Sequence, residues 1–131
     1  MSARIVQGDA TSSADWERAL DGQRASALIT DPPYCLLTRR RKGGDPREKK
    51  GRKIERGPLR RFQSVREYRD FTAQWMRAGV KWLEPGSPWV VWTNLLGKEP
   101  IASVAAELGW GCLRGEYVWG KRTREGNSGE E

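Results

Sequence analysis

A short apolar run, Ala27-Leu28-Ile29, ends abruptly at Asp31-Pro32-Pro33-Tyr34, and no other stretch limits the fold so tightly. Neither proline can donate a backbone hydrogen bond to a central ladder, so a strand over Ala25 to Thr30 must terminate there. Asp31 to Tyr34 then reads as a loop at a strand's carboxyl end, the edge at which open α/β sheets bind ligands. Each proline fixes its own φ, and Pro33 also restricts Pro32, so the loop has few conformations to lose when a substrate arrives. A carboxylate and carbonyls held this way form an acceptor-only surface, suited to a flat group with N–H donors, and Tyr34 adds a stacking face. The edge of an amino-bearing nucleobase has that chemistry.

Asp31-Pro32-Pro33-Tyr34 resembles the catalytic motif of the DNA amino-methyltransferases, which transfer a methyl group from S-adenosylmethionine to N6 of adenine or N4 of cytosine. Gly8-Asp9 upstream, Leu83-Glu84-Pro85-Gly86 before a strand and Tyr117-Val118-Trp119-Gly120-Lys121 extend the likeness across residues 3 to 122. Enzymes that methylate guanine N2 in ribosomal RNA carry the tetrapeptide too. The resemblance implies a partial Rossmann-like methyltransferase sheet, mostly parallel, with flanking helices: an α/β catalytic domain over residues 1–122. It implies catalytic roles for Asp31, Pro32, Pro33 and Tyr34. It also implies that Asp9, with Asp31, lies near the cofactor S-adenosyl-L-methionine. Asp31 and the carbonyl of Pro32 would accept the two amine hydrogens, Asp31 would take or relay the departing proton, and Tyr34 would stack on a flipped base.

The sequence departs from that family in two respects. The family's glycine-rich turn for the methionine half of the cofactor, commonly Asp-Pro-Phe-x-Gly-x-Gly, does not occur here, and the usual target-recognition region is also absent. The chain therefore resembles the catalytic half of the permuted, beta-like class, with a cofactor-binding half or a second copy as the expected complement.

Bulk properties narrow the chemistry. With 131 residues and no histidine, the chain has no imidazole base, no Cys/His nucleophilic pair and almost no common zinc site, so no metal is expected. Cys35 and Cys112 are read as reduced, buried side chains. No apolar run approaches the ~18 residues of a membrane span, and no signal-peptide pattern is present, so a cytoplasmic protein with no membrane partner is expected.

Charge is concentrated in one place. Residues 38–61 carry twelve Lys or Arg against Asp45, Glu48 and Glu55, a net +9 within a chain of +7, which leaves the remainder at −2. Its glycines and prolines break any helical or strand period, so it reads as a flexible basic loop. Arg39, Arg40, Arg41, Lys42, Lys49, Lys50, Arg52 and Lys53 are the expected nucleic-acid contacts, holding a phosphate backbone by counterion release beside the base pocket.

The remaining elements follow from periodicity. Arg4 to Gln7 is β-prone, and a helix capped by Ser12 or Ser13 runs to Asp21-Gly22, so a parallel strand, helix, strand unit should place Asp9 and Asp31 on one sheet edge. Ser64-Val65-Arg66-Glu67 matches a capping box for a helix whose stripe is Val65, Tyr68, Phe71, Trp75, Met76, Val80 and Leu83. Trp89 to Trp92 reads as a buried strand ending at Thr93-Asn94, two residues suited either to shaping the pocket or to capping the next helix. That helix is expected over Lys98 to Leu108, closed by Gly109 and followed by a strand over Glu116 to Trp119 and a frayed polar tail, 123–131.

Three functions fit. The first is a DNA amino-methyltransferase or its catalytic portion, with adenine N6 favoured. The second is an RNA base methyltransferase. The third is a non-catalytic nucleic-acid-binding fragment.

Overall fold

The structure, a computed structural model, describes residues 2–38, 59–111, 113–122 and 128–129. The order is α1 (Ser13–Leu20), β1 (Leu28–Thr30), α2 (Val65–Val80), β2 (Trp89–Val91), α3 (Leu95–Glu107), β3 (Lys121–Arg122) and β4 (Ser128–Gly129). β1 and β2 pair in parallel, Leu28 opposite Trp89 and Thr30 opposite Val91, and β3 pairs antiparallel with β4. The class is mixed α/β.

Local chemistry accounts for the helix ends. Ser12 accepts the Asp15 N–H at the start of α1, which Asp21 closes in the left-handed region at φ 49°. Ser64 accepts the Glu67 N–H at the start of α2, but Glu67 reaches back to the N–H of Gln63 rather than Ser64, one residue beyond a standard capping box. Asn94 caps α3, accepting from Gly97 N–H at 3.1 Å.

The core lies on one side of the β1–β2 pair. Tyr68, Phe71, Trp75 and Met76 of α2 and Val104 of α3 are buried there with Cys35 and Phe62, and Leu28, Trp89 and Val91 pack on them from the strands. Phe62 meets Tyr68 edge to face at 4.9 Å. Arg69 ties α2 to α3 through Ser103 and Glu107. Side chains alternate across a strand, so Ile29 and Val90 point away from the helices, and they are 72% and 46% exposed. Trp92 continues that strip at 41%. A parallel sheet is ordinarily covered on both faces; among the described residues this one is covered on one.

Several sequence expectations are corrected. Arg4 to Gln7 forms no strand and Ile5 is 98% exposed, so the early strand, helix, strand unit is absent; the one that forms is β1, α2, β2. Glu116 to Trp119 forms no strand either, with Tyr117 97% exposed. Both stretches lack a paired neighbour among the described residues, and β propensity without cross-strand partners does not hold a strand. β1 starts later than expected, although Ala25 makes a single bridge to Leu83. α3 begins at Leu95, ahead of Lys98, and contains Pro100. Val65 lies at the exposed start of α2 and does not join its buried stripe. The tail is not wholly frayed, since Ser128 and Gly129 pair with Arg122 and Lys121. Cys35 carries a free thiol; Cys112 lies outside the described residues.

α1 reaches the core through one close approach. A Cβ on Gly79 would stand 2.8 Å from the Trp16 ring, too near for a rigid indole to tolerate. Gly79→Ala gains at most ~1 kcal/mol of helix propensity but overpacks at a cost of about 1–3 kcal/mol, so a net loss of about 1 kcal/mol is expected in urea unfolding. A gain in stability would show that Trp16 does not pack against Gly79.

Candidate functional site

Trp92 donates to the Thr30 carbonyl at 3.0 Å, the last ladder bond before the prolines, and the chain then turns. Pro32 and Cys35 face inward while Asp31 and Pro33 are exposed and Tyr34 is half-buried, so the corner is anchored at two residues and presents the others. Three side-chain bonds pin it. The Tyr68 hydroxyl donates to the Pro33 carbonyl at 2.9 Å. Asn94 accepts from Cys35 N–H at 3.2 Å and returns a bond to the Cys35 carbonyl at 3.0 Å. By contrast, the Asp31 carboxylate and the Pro32 carbonyl make no hydrogen bond among the described residues.

Asp31 stands between two hollows. On the helix side, a cavity of about 220 Å³ is walled by Trp16, Phe71, Trp75, Leu28 and the two prolines, with Asp31 and Thr30 as its polar groups. On the bare side of the sheet, a shallower hollow of about 280 Å³ is lined by Ile29, Thr30, Asp31 and Trp92. The indole N–H of Trp16 is satisfied by the Ala10 carbonyl at 2.7 Å. That of Trp75 is buried without an acceptor among the described residues, as are those of Trp82 and Trp89, which do not line this cavity.

Asp9 is not at a strand end. Its carboxylate accepts from the Thr11 N–H at 2.8 Å and the Thr11 hydroxyl at 2.7 Å, a side-chain turn that leads into α1. Those bonds, the backbone one first, hold its carboxyl below the usual carboxylate range, with a smaller pull from Arg60. The neighbouring residue, Ala10, lines the same cavity as Asp31. The expected nucleic-acid contacts Arg39, Arg40, Arg41, Lys42, Lys49, Lys50, Arg52 and Lys53 lie outside the described residues.

The described ends of the basic segment meet beside the corner. Leu37 and Phe62 form a parallel bridge, with Thr38 N–H donating to the Phe62 carbonyl at 2.8 Å and Phe62 N–H to the Leu36 carbonyl at 2.7 Å. The sequence carries no local signal for this bridge or for Tyr68 as a clamp, since the Tyr68 bond spans 35 residues. Phe71 and Trp75 are legible in the sequence as core, yet they also wall the cavity. No group of His, Cys, Asp and Glu suited to a metal ion occurs among the described residues, and no helix there is long and apolar enough to cross a membrane.

Comparison of the chain with protein-family models, with curated proteins and with solved structures finds no match.

Two outcomes are expected from these ties. Asn94→Ala removes the cap of α3 and both bonds to Cys35, so it should cost about 2 kcal/mol and, in a Cys112→Ser background, expose Cys35 to thiol reagents; Asn94→Asp, which keeps the acceptor, should lie between. Unchanged labelling of Cys35 would show that the corner holds without Asn94. Burial pushes the Cys35 thiol and the Tyr68 phenol above their ordinary values of 9.0 and 10.0, and Cys35 beside it raises Tyr68 further. Both groups keep their protons to higher pH folded than unfolded, so their contribution is complete below the ordinary values and is lost as pH rises past them. Denaturant midpoints should therefore fall on the alkaline side, and Tyr68→Phe should lessen that fall.

Proposed function

We propose that this chain is the catalytic portion of an S-adenosylmethionine-dependent nucleic-acid amino-methyltransferase with a Rossmann-like ancestry to its sheet, acting on DNA with adenine N6 as the favoured target. The observation that carries the reading is the contrast within one corner. The Pro33 and Cys35 carbonyls are engaged by side chains, whereas the Asp31 carboxylate and the Pro32 carbonyl, the two acceptors the chemistry requires, are uncommitted among the described residues. They stand at the carboxyl end of a parallel strand, beside a cavity with flat aromatic walls.

The exocyclic amine of a nucleobase is a poor nucleophile because its lone pair is delocalised into the ring. Asp31 and the Pro32 carbonyl accept its two hydrogens and draw the nitrogen toward tetrahedral geometry, which localises the lone pair. The proton lost from nitrogen passes to Asp31, which is exposed and can release it to water. Pro32 and Pro33, with Tyr68 and Asn94 behind them, keep both acceptors in place before substrate arrives, so little entropy is lost on binding. Tyr34 supplies a face on which an unstacked base can rest. The aromatic cavity, with the unpaired Trp75 N–H, suits a heteroaromatic ring such as the adenine of the cofactor. When bound, S-adenosylmethionine supplies an electrophilic methyl group.

A second reading has its own observation in favour. Among the described residues the sheet has one bare face and the Arg4 to Gln7 stretch joins no strand, and the sequence lacks a glycine-rich cofactor turn, features that fit a non-catalytic nucleic-acid-binding fragment. Calorimetric titration with S-adenosylmethionine separates the two, since a folded chain that gives no heat is a binder alone. Methylation assays on DNA and on RNA separate the two polymers. If the chain is catalytic, Asp31→Ala should lower turnover about 100-fold or more while leaving nucleic-acid affinity within about twofold, because hydrogen bonds to a developing cation act chiefly in the transition state. A loss of affinity with turnover intact would exclude Asp31 as the acceptor of the amine's proton.

A further inference from the structure

Arg60 is unlike Arg61, the other described arginine of the basic segment. Its guanidinium lies over the Phe71 ring at 4.1 Å and the Phe62 ring at 5.0 Å. Phe71 is also a wall of the cavity beside Asp31, so one ring links the cation to that cavity. Neighbouring Arg61 spends a donor on the Leu37 carbonyl at 3.2 Å, whereas Arg60 makes no hydrogen bond or ion pair among the described residues.

Stacking and hydrogen bonding use different parts of a guanidinium. The central carbon stands over two ring faces, while the five N–H donors of the group lie in the guanidinium plane and make no hydrogen bond among the described residues. Two aromatic rings therefore fix where the charge stands without consuming its donors. An in-plane fork of this kind matches the oxygens of a phosphate in bidentate fashion. Asp9 is the carboxylate whose ionisation Arg60 favours, but it forms no ion pair with Arg60 and already accepts two bonds from Thr11.

We propose that Arg60, held over Phe71 and Phe62, binds the backbone phosphate next to the nucleotide whose base reaches Asp31. The inference rests on the proposed nucleic-acid function and adds to it a fixed contact one ring away from the cavity, separate from the basic residues that precede it in the chain. That contact aligns the strand with the corner rather than merely attracting it.

The test is fluorescence anisotropy of a fluorescein-labelled duplex DNA with the full chain, titrated over NaCl concentrations from about 50 to 200 mM. Arg60→Gln removes the charge but keeps a stem over Phe71. It should weaken binding about tenfold and reduce the slope of log affinity against log salt by about one, the signature of one lost phosphate. Arg60→Lys should retain the slope and recover only part of the affinity, because an ammonium lacks the planar fork. If wild type binds and Arg60→Gln keeps its slope, whatever its affinity, Arg60 is a packing residue and the inference is overturned. If wild type does not bind DNA, the functional reading itself falls and this contact falls with it.

Discussion

The carboxamide of Asn94 serves three backbone groups at once, and the geometry of the corner depends on it. It accepts from Gly97 N–H, which starts α3, and from Cys35 N–H, and it donates to the Cys35 carbonyl. One side chain thus couples the helix after β2 to the loop after β1, two segments that the parallel register already brings to the same edge. Removing either end would leave polar backbone without its partner near a buried cysteine, which is why a short polar residue, and not merely a helix cap, is needed at that position. The Tyr68 hydroxyl adds the second tie from below, so the proline corner is held from a strand-end loop and from a core helix.

What the sequence reveals and what it hides divide along local and non-local lines. Ser12, Asp21 and Ser64 act on residues within a turn of themselves, and the ends of α1 and the start of α2 are legible from them. The stripe from Tyr68 to Met76 is legible for the same reason, since a helix carries its own period. Arg4 to Gln7 and Glu116 to Trp119 have the right composition for strands but no neighbour to pair with, and a strand is a property of two segments. The start of α3 falls between these cases: Asn94 suits a cap or a pocket residue equally well by type, it caps α3 and ties the loop at Cys35 without lining either hollow, and the helix it opens begins at Leu95 and runs on through Pro100. At the site, Asp31 to Tyr34 is visible as a rigid loop because proline stiffness is local, whereas Asn94, Tyr68 and Arg60 owe their contacts to residues brought together by the fold.

The corner also shows how acceptors can be kept unspent in a polar neighbourhood. Backbone carbonyls at strand ends are ordinarily claimed by water or by the next element. Here the carbonyls of Pro33 and Cys35 are claimed by named side chains, and the proline nitrogens offer no donors that could fold back on Asp31. Aromatic walls on the helix side add no competing donor except the Trp75 N–H. Rigidity and unsatisfied acceptor capacity therefore have the same origin, the two prolines.

The uncovered strip of Ile29, Val90 and Trp92 gives this chain two salt responses of opposite sign. Sulfate and other strongly excluded salts favour the removal of such apolar surface from water, which draws the bare faces of separate molecules together. The same rise in ionic strength screens the arginines and loosens any polyanion they hold. Concentrated sulfate should thus precipitate the protein and, if the proposed nucleic-acid binding holds, release the polyanion in the same step, whereas dilute buffer favours the opposite on both counts.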